Sequence, residues 1–215
     1  MRVHQPFIDA GHDAPTAARV CVFTGAGLLC VFMALARVDA AGWDERGRQA
    51  VMAALCGAAF LPAWSILGDV RVLAVVCALV TAVDAARRQA RACLALWGAG
   101  LTSLGASFVL KAVFDRPRPP GAFEAGASFP STHSAMAAAV WLTLALLLTR
   151  QAPRLRLPTV TAAIVAALFT AVAGVALGRH WPSDVGGGLA LGAAVAGAAA
   201  LGANARRGRP SPVAL

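Results

Sequence analysis

Charge is scarce in this chain. Of 215 residues only 13% are Asp, Glu, Lys or Arg, with Lys111 the single lysine, while 59% are apolar and mean hydropathy is +0.69. That balance excludes a soluble domain with a polar surface, and the chain reads as an integral membrane protein. The five cysteines (Cys21, Cys30, Cys56, Cys77 and Cys93) are odd in number and scattered through apolar segments. They show neither a disulfide framework nor ligand spacing. The ten acidic residues form no carboxylate cluster, so neither a metal nor a cofactor is expected. A formal charge of +9 and a pI near 11.1 raise the question of nucleic acid. The arginines, however, fall in short groups between apolar runs rather than on one face, and no nucleic-acid partner is expected. The apolar runs show no internal repeat and few polar residues at mid-run, which argues against a transporter.

The runs themselves cover roughly 17–36, 70–86, 92–112, 131–149, 159–177 and 183–203. Each approaches the ~20 residues that cross a hydrocarbon core of ~30 Å. The expected fold is therefore all-α: one polytopic membrane domain over 17–204 with six transmembrane helices. A polar tail, 1–16, precedes it and a basic tail, 205–215, follows. His4 and His12 read as solvated tail residues. Segment 42–67 opens with Trp43-Asp44-Glu45-Arg46 and is interrupted by Gly57 and Pro62. It is expected to form one or two short interfacial helices, with Trp43 and Trp64 near headgroup level, rather than a seventh span. Ala34-Leu35-Ala36 resembles a signal-peptidase site. The long, weakly basic tail before it argues against cleavage, and the first run is kept as a span.

Counting charge by side orients the six spans. With the N-terminus inside, the cytoplasmic segments hold Arg2, Arg19, Arg87, Arg88, Arg91, Arg150, Arg154, Arg156, Arg206, Arg207 and Arg209 against Asp9, Asp13 and Asp84. The opposite side holds Arg37, Arg46, Arg48, Arg71, Lys111, Arg116, Arg118 and Arg179 against the remaining acids. The positive-inside rule selects this orientation. It leaves Lys111, Arg116 and Arg118 on the side where basic residues are normally rare.

That basic group belongs to a polar stretch from Lys111 to His133, set between two apolar runs. Arg116 and Arg118 each precede a proline, so their backbone is stiff and non-helical. Planar guanidinium forks bind phosphate bidentately and an ammonium adds a point charge. Ser131, after Pro130, is positioned to cap the next helix, whose free N–H groups offer a second phosphate-binding device. Near the C-terminus, Gly178 is a plausible helix terminator, and Arg179-His180-Trp181-Pro182-Ser183-Asp184 leads into the last run. Six spans bring the loops at 113–130 and 178–183 to the same side, where His133 and His180 can meet. Two imidazoles and an acid divide the work of phosphoryl transfer: one attacks, the acid fixes its tautomer, and the other moves the leaving-group proton.

These residues resemble the signature of the type 2 phosphatidic acid phosphatase (PAP2) family: Lys-x6-Arg-Pro, Pro-Ser-x-His and Ser-Arg-x5-His-x3-Asp. Lys111 with Arg118-Pro119 carries the first part, Pro130-Ser131-Thr132-His133 the second, and His180 with Asp184 the end of the third. The resemblance implies a metal-independent membrane phosphatase acting on a lipid phosphate or pyrophosphate. His180 is then the nucleophile, Asp184 its partner and His133 the general acid and base. Lys111, Arg118, Ser131 and Thr132 bind phosphate, with Arg116 and Arg179 as further candidates. The third part departs from the pattern, because Ala173 and Gly174 stand where Ser-Arg is expected. Arg179 is not the equivalent of that arginine, since five residues of helix place it about 140° round and ~7.5 Å along from that position. Two other functions stay open: a phosphotransferase using the same site, and a lipid-phosphate-binding protein weakened in turnover. The Ala- and Arg-rich, lysine-poor composition suggests a bacterial inner membrane, with the site on its periplasmic side.

Overall fold

The computed structural model describes residues 13–38, 42–86, 90–150 and 152–205. The N-terminal tail with His4 and His12, the pair Arg87 and Arg88, and the basic C-terminal tail beyond Ala205 lie outside these residues. Among the described residues the chain forms eight α-helices and no strand. They are α1 (Asp13–Val38), α2 (Trp43–Ala54), α3 (Leu61–Ile66), α4 (Val70–Ala86), α5 (Ala90–Phe114), α6 (Thr132–Leu148), α7 (Arg156–Ala176) and α8 (Pro182–Ala205). A 3-10 turn, Pro153–Leu155, leads into α7.

The all-α expectation holds, but length supports fewer spans than six. Among the described residues, four helices are long and apolar enough to cross a membrane: Pro15–Val38, Ala90–Phe114, Pro153–Ala176 and Pro182–Asn204. The other two apolar segments, Val70–Val83 and Thr132–Leu148, are shorter. A 17-residue helix such as α6 is only about 26 Å long at ~1.5 Å per residue. Its start is fixed by the Ser131 cap and its end by the turn at Thr149. Segment 42–67 forms two short helices rather than one continuous span, and Gly57, at φ +72, lies between them.

Small residues let α8 run through the middle of the bundle, packed against α1, α5, α6 and α7. Gly188 and Gly192, four apart, face α6. A Cβ at Gly188 would stand 2.5 Å from the Ser131 carbonyl, and one at Gly192 would overlap the Ala135 carbonyl. Ala196, one turn further, is fully buried against Ala138 and Leu142 of the same helix. On the α1 side, a Cβ at Gly25 would stand 2.5 Å from Ala194 N. Close backbone approach of this kind is how helices associate where lipid removes the usual hydrophobic drive. Many large apolar side chains instead point outward: Phe23, Leu79, Leu94, Leu101 and Leu157 are exposed, the pattern of a surface facing acyl chains.

Candidate active site

The end of α7 sets the first half of the site. The helix stops at Ala176, and Gly178 takes φ +70, a left-handed conformation that costs glycine nothing. The Gly178 N–H donates to Val175 O (2.9 Å) and the Arg179 N–H to Gly174 O (3.0 Å), the two bonds of a Schellman turn. The turn folds Arg179 back beside the helix end. The displacement expected of Arg179 rested on an unbroken helix, and this reversal removes it. The Arg179 guanidinium donates to Ser65 Oγ after α3 begins (3.0 Å), stacks over Phe123 at 5.1 Å and stands 3.5 Å from Glu124 Oε1.

His180 follows, 4% exposed, with Nδ1 3.5 Å from Asp184 Oδ2. Burial pushes its pKa below the ordinary histidine value; Asp184 opposes the shift, while Arg118 and Lys111 add to it. The imidazole is therefore neutral at pH 7, as a nitrogen nucleophile must be. Asp184 lies in the first turn of α8 and is fully buried. Its Oδ2 accepts from the Trp181 N–H (2.9 Å) and its Oδ1 from Arg116 (2.8 Å).

The second half comes from the loop between α5 and α6. Lys111, in the last turn of α5, crosses to that loop and donates to Ala127 O (2.6 Å) and Ser128 O (3.3 Å). Arg118 donates to Arg179 O (2.9 Å) and Gly126 O (3.2 Å). It also pairs with Glu124 Oε2 at 2.9 Å. Glu124 thus stands between Arg118 and Arg179, and its charge also acts on Lys111 and His133. Ser131 caps α6 as the sequence leads one to expect, its Oγ accepting from the Ser134 N–H at 3.5 Å. The Ser131 N–H in turn donates to Asp184 O (2.9 Å) and ties the heads of α6 and α8 together. Thr132 and His133, the first two residues of α6, are half-buried.

Arg116 has different company from the other cations. Its Nη1 donates to Ser183 Oγ (2.6 Å) and Asp184 Oδ1, and its Nη2 to Asp44 Oδ2 (2.6 Å). Burial alone would lower its pKa, but the two carboxylates outweigh burial and raise it above the ordinary arginine value. Removing one member of such a buried cluster leaves a charge uncompensated, at a cost of about 3–5 kcal/mol.

The loop basic residues, two histidines and a buried aspartate therefore gather at one end of the bundle, built by the ends of α5 and α7 and the heads of α6 and α8. A family model described as the PAP2 superfamily matches residues 90–207, which include all of these groups. The chain belongs to the PAP2 superfamily. Among solved structures it is similar to one described as the first transmembrane PAP2 type phosphatidylglycerolphosphate phosphatase from Bacillus subtilis, at 24% identity and a TM-score of 0.73. That similarity covers 89% of this chain and 100% of the other. No curated protein matches. With four helices long enough to cross a bilayer, this PAP2 chain is an integral membrane protein.

Its departure from the PAP2 signature is visible in the site. A Cβ on Gly174 would stand 3.7 Å from His180 Cδ2 and 3.6 Å from Val185 Cγ1, both ordinary contacts. A side chain at 174 would therefore emerge beside the imidazole, where this PAP2 chain has none. Sequence reasoning missed Asp44, Ser65 and Glu124 as parts of the site. Asp44 heads an amphipathic segment that reads as interfacial, and Glu124 sits in a loop of small residues. No linear spacing connects either to the histidines. Trp181 was singled out only as a loop residue, yet its indole N–H donates to Pro117 O (3.0 Å) and ties the two loops together.

Proposed function

We propose that the protein is a lipid phosphate phosphatase that hydrolyses a phosphate or pyrophosphate monoester through a phosphohistidine. The observation that carries this reading is the His180–Asp184 pair, at 3.5 Å, beside a basic cluster whose two arginines share one carboxylate. Nδ1 faces Asp184, which leaves Nε2 as the attacking nitrogen. The Nε2–P bond forms as the bond from phosphorus to the lipid oxygen breaks, and His133 in its protonated form gives that oxygen its proton. Neutral His133 then takes a proton from water; the resulting hydroxide attacks phosphorus, the P–N bond breaks, and inorganic phosphate leaves with His180 restored.

Charge on the transferring oxygens is met by Lys111, Arg118, Arg179, Ser131 and Thr132, with backbone N–H groups at the head of α6. Positioning and electrostatics carry most of such a reaction. Arg179 takes the part that an arginine at 174 plays in the family signature. The seat is held by Glu124 until the substrate phosphate displaces it. Arg116, engaged by Asp44 and Asp184, leaves the phosphate-binding set and acts from behind Asp184.

The two shorter apolar helices, α4 and α6, complete a six-span domain over 17–204 by using flanking turns to reach the interfaces, and α2 and α3 lie at one interface. The basic residues counted above support a site on the extracytoplasmic face of a bacterial inner membrane. Gly174 supports a second reading, a binding protein with little turnover. Phosphate release by the purified protein from a panel of phosphatidate, phosphatidylglycerophosphate and isoprenyl pyrophosphate in detergent micelles tests the proposal. Release that His180→Ala abolishes is expected; no release from any member by wild-type protein would leave the binding reading. A labelled acceptor alcohol that captured the phosphate instead of water would identify a phosphotransferase.

A further inference from the structure

The histidine–aspartate pair rests on a buried chain of charge that begins outside the matched family region. Asp44, the second residue of α2, is 1% exposed, and its carboxylate bonds to Arg116 and Ser183. Its Oδ2 accepts from Arg116 Nη2 and from Ser183 Oγ, and its Oδ1 accepts from the Ser183 N–H (2.8 Å). Arg116 then donates to Asp184 Oδ1 (2.8 Å), and Asp184 Oδ2 faces His180. Ser183 and Asp184 are fully buried, and Arg116 is 9% exposed.

The charge count within this chain matters more than its bonds. A guanidinium paired only with Asp184 would neutralise the carboxylate that His180 depends on. A second buried carboxylate restores a net negative charge, two acids to one cation, behind the imidazole. The same arrangement fixes Asp184 from both oxygens, so that Oδ2 is held toward His180 Nδ1 while Oδ1 is held by Arg116.

We infer that Asp44 is a positioning residue for the reaction: it binds Arg116 so that Asp184 stays both oriented and effectively anionic toward His180. The inference rests on the phosphatase reading for its consequence in turnover, but its electrostatic core does not need turnover. The other charged or titratable groups that act on His180 are Lys111 from α5, Arg118 from the loop, and His133 from α6. None of them changes in the variants below.

Asp44→Asn keeps the shape and removes one charge, taking the chain from net −1 to 0. Arg116→Gln takes it to −2, and the double variant returns it to −1. The experiment titrates the His180 imidazole by NMR in histidine-labelled protein in micelles, with kcat measured alongside. Less negative charge behind the ring favours its neutral form, so the His180 midpoint should fall in Asp44→Asn, rise in Arg116→Gln, and return toward wild type in the double variant. The kcat of Asp44→Asn should fall, by at most roughly tenfold for each pKa unit lost, with KM nearly unchanged, and recover in part in the double variant. If Asp44 only tethers α2 to the head of α8, folded yield will drop while Asp44→Asn leaves the His180 midpoint in place and the double variant titrates like Arg116→Gln, and the inference is wrong. Should Asp44→Asn yield no folded protein, Arg116→Gln against the double variant reads the same charge order. Absence of turnover in wild type with the expected order of midpoints would sink the phosphatase reading and leave this one standing.

Discussion

Gly174 faces the imidazole of His180: a Cβ there would stand 3.7 Å from Cδ2, in ordinary contact. The site thus has space where the family signature has an arginine, and Arg179 approaches it from the Schellman turn instead. Arg179 shares Glu124 with Arg118, as it should if both reach one phosphate. Arg179→Ala should lower kcat/KM by roughly ten- to a hundredfold, the loss of one charge-assisted contact of ~1.5–3 kcal/mol. On the proposed role of Arg179, Gly174→Arg should bring no gain. Steady-state kinetics of both variants on one short-chain lipid phosphate decide it, and a rise in kcat for Gly174→Arg with Arg179→Ala unimpaired would reverse the assignment.

The sequence made the helices legible because their apolar runs are long and bounded by Gly, Pro and Ser signals. Ser131 and Gly178 mark their boundaries by local chemistry, a side-chain cap and a left-handed turn, and both read directly from the chain. The direction of Arg179 was not legible because a terminator sets where a helix stops but not which way the next residue turns. Asp44 and Glu124 were invisible for a different reason. Their importance comes from tertiary approach to Arg116 and to Arg118 with Arg179, and a lone acid in an amphipathic or small-residue segment has no periodic signal. Length alone leaves the six-span count open at α4 and α6: both helices keep nearly the bounds of their apolar runs, 17 residues each, short of the ~20 that cross a hydrocarbon core.

His180 is held neutral chiefly by burial, and this fixes a pH dependence. With a midpoint below the ordinary value of about 6.5, the nucleophile is already deprotonated at pH 7. The acid limb of the activity profile, where His180 takes a proton, should therefore lie below about pH 6.5, while the alkaline limb reports loss of the proton that His133 must give. His180→Ala should lose turnover altogether, while His133→Ala should slow both lipid-alcohol departure and hydrolysis of the phosphoenzyme. Trapping of acid-labile, base-stable phosphate on wild type and not on His180→Ala identifies the nitrogen nucleophile; label retained by His180→Ala would assign it elsewhere.

Six spans require Ala125 and Arg154 to lie on opposite sides of the membrane. Both sites are exposed, so a cysteine at either should be open to reagent. In a variant with Cys21, Cys30, Cys56, Cys77 and Cys93 replaced, an impermeant maleimide should label Ala125→Cys from outside intact cells and Arg154→Cys only after lysis. Labelling of both from one side would mean that α6 does not cross and would return the count to the four long helices.

Glu124 stands where the proposed reaction needs a phosphate. Its carboxylate is paired with Arg118 at 2.9 Å and faces Arg179 at 3.5 Å. A ligand that must displace it binds with an apparent constant weakened by the fraction of time the seat is open. Glu124→Gln keeps the length and polarity of the side chain and removes the charge. KM for the lipid and the inhibition constant for inorganic phosphate should then fall together, by roughly three- to tenfold for a partly exposed pair of this kind, with less effect on kcat. The opposite sign is equally informative. If Glu124 instead keeps two repelling guanidinium groups from splaying apart, its loss will raise both constants, and Glu124 will be a clamp on the arginines rather than a competitor for their ligand.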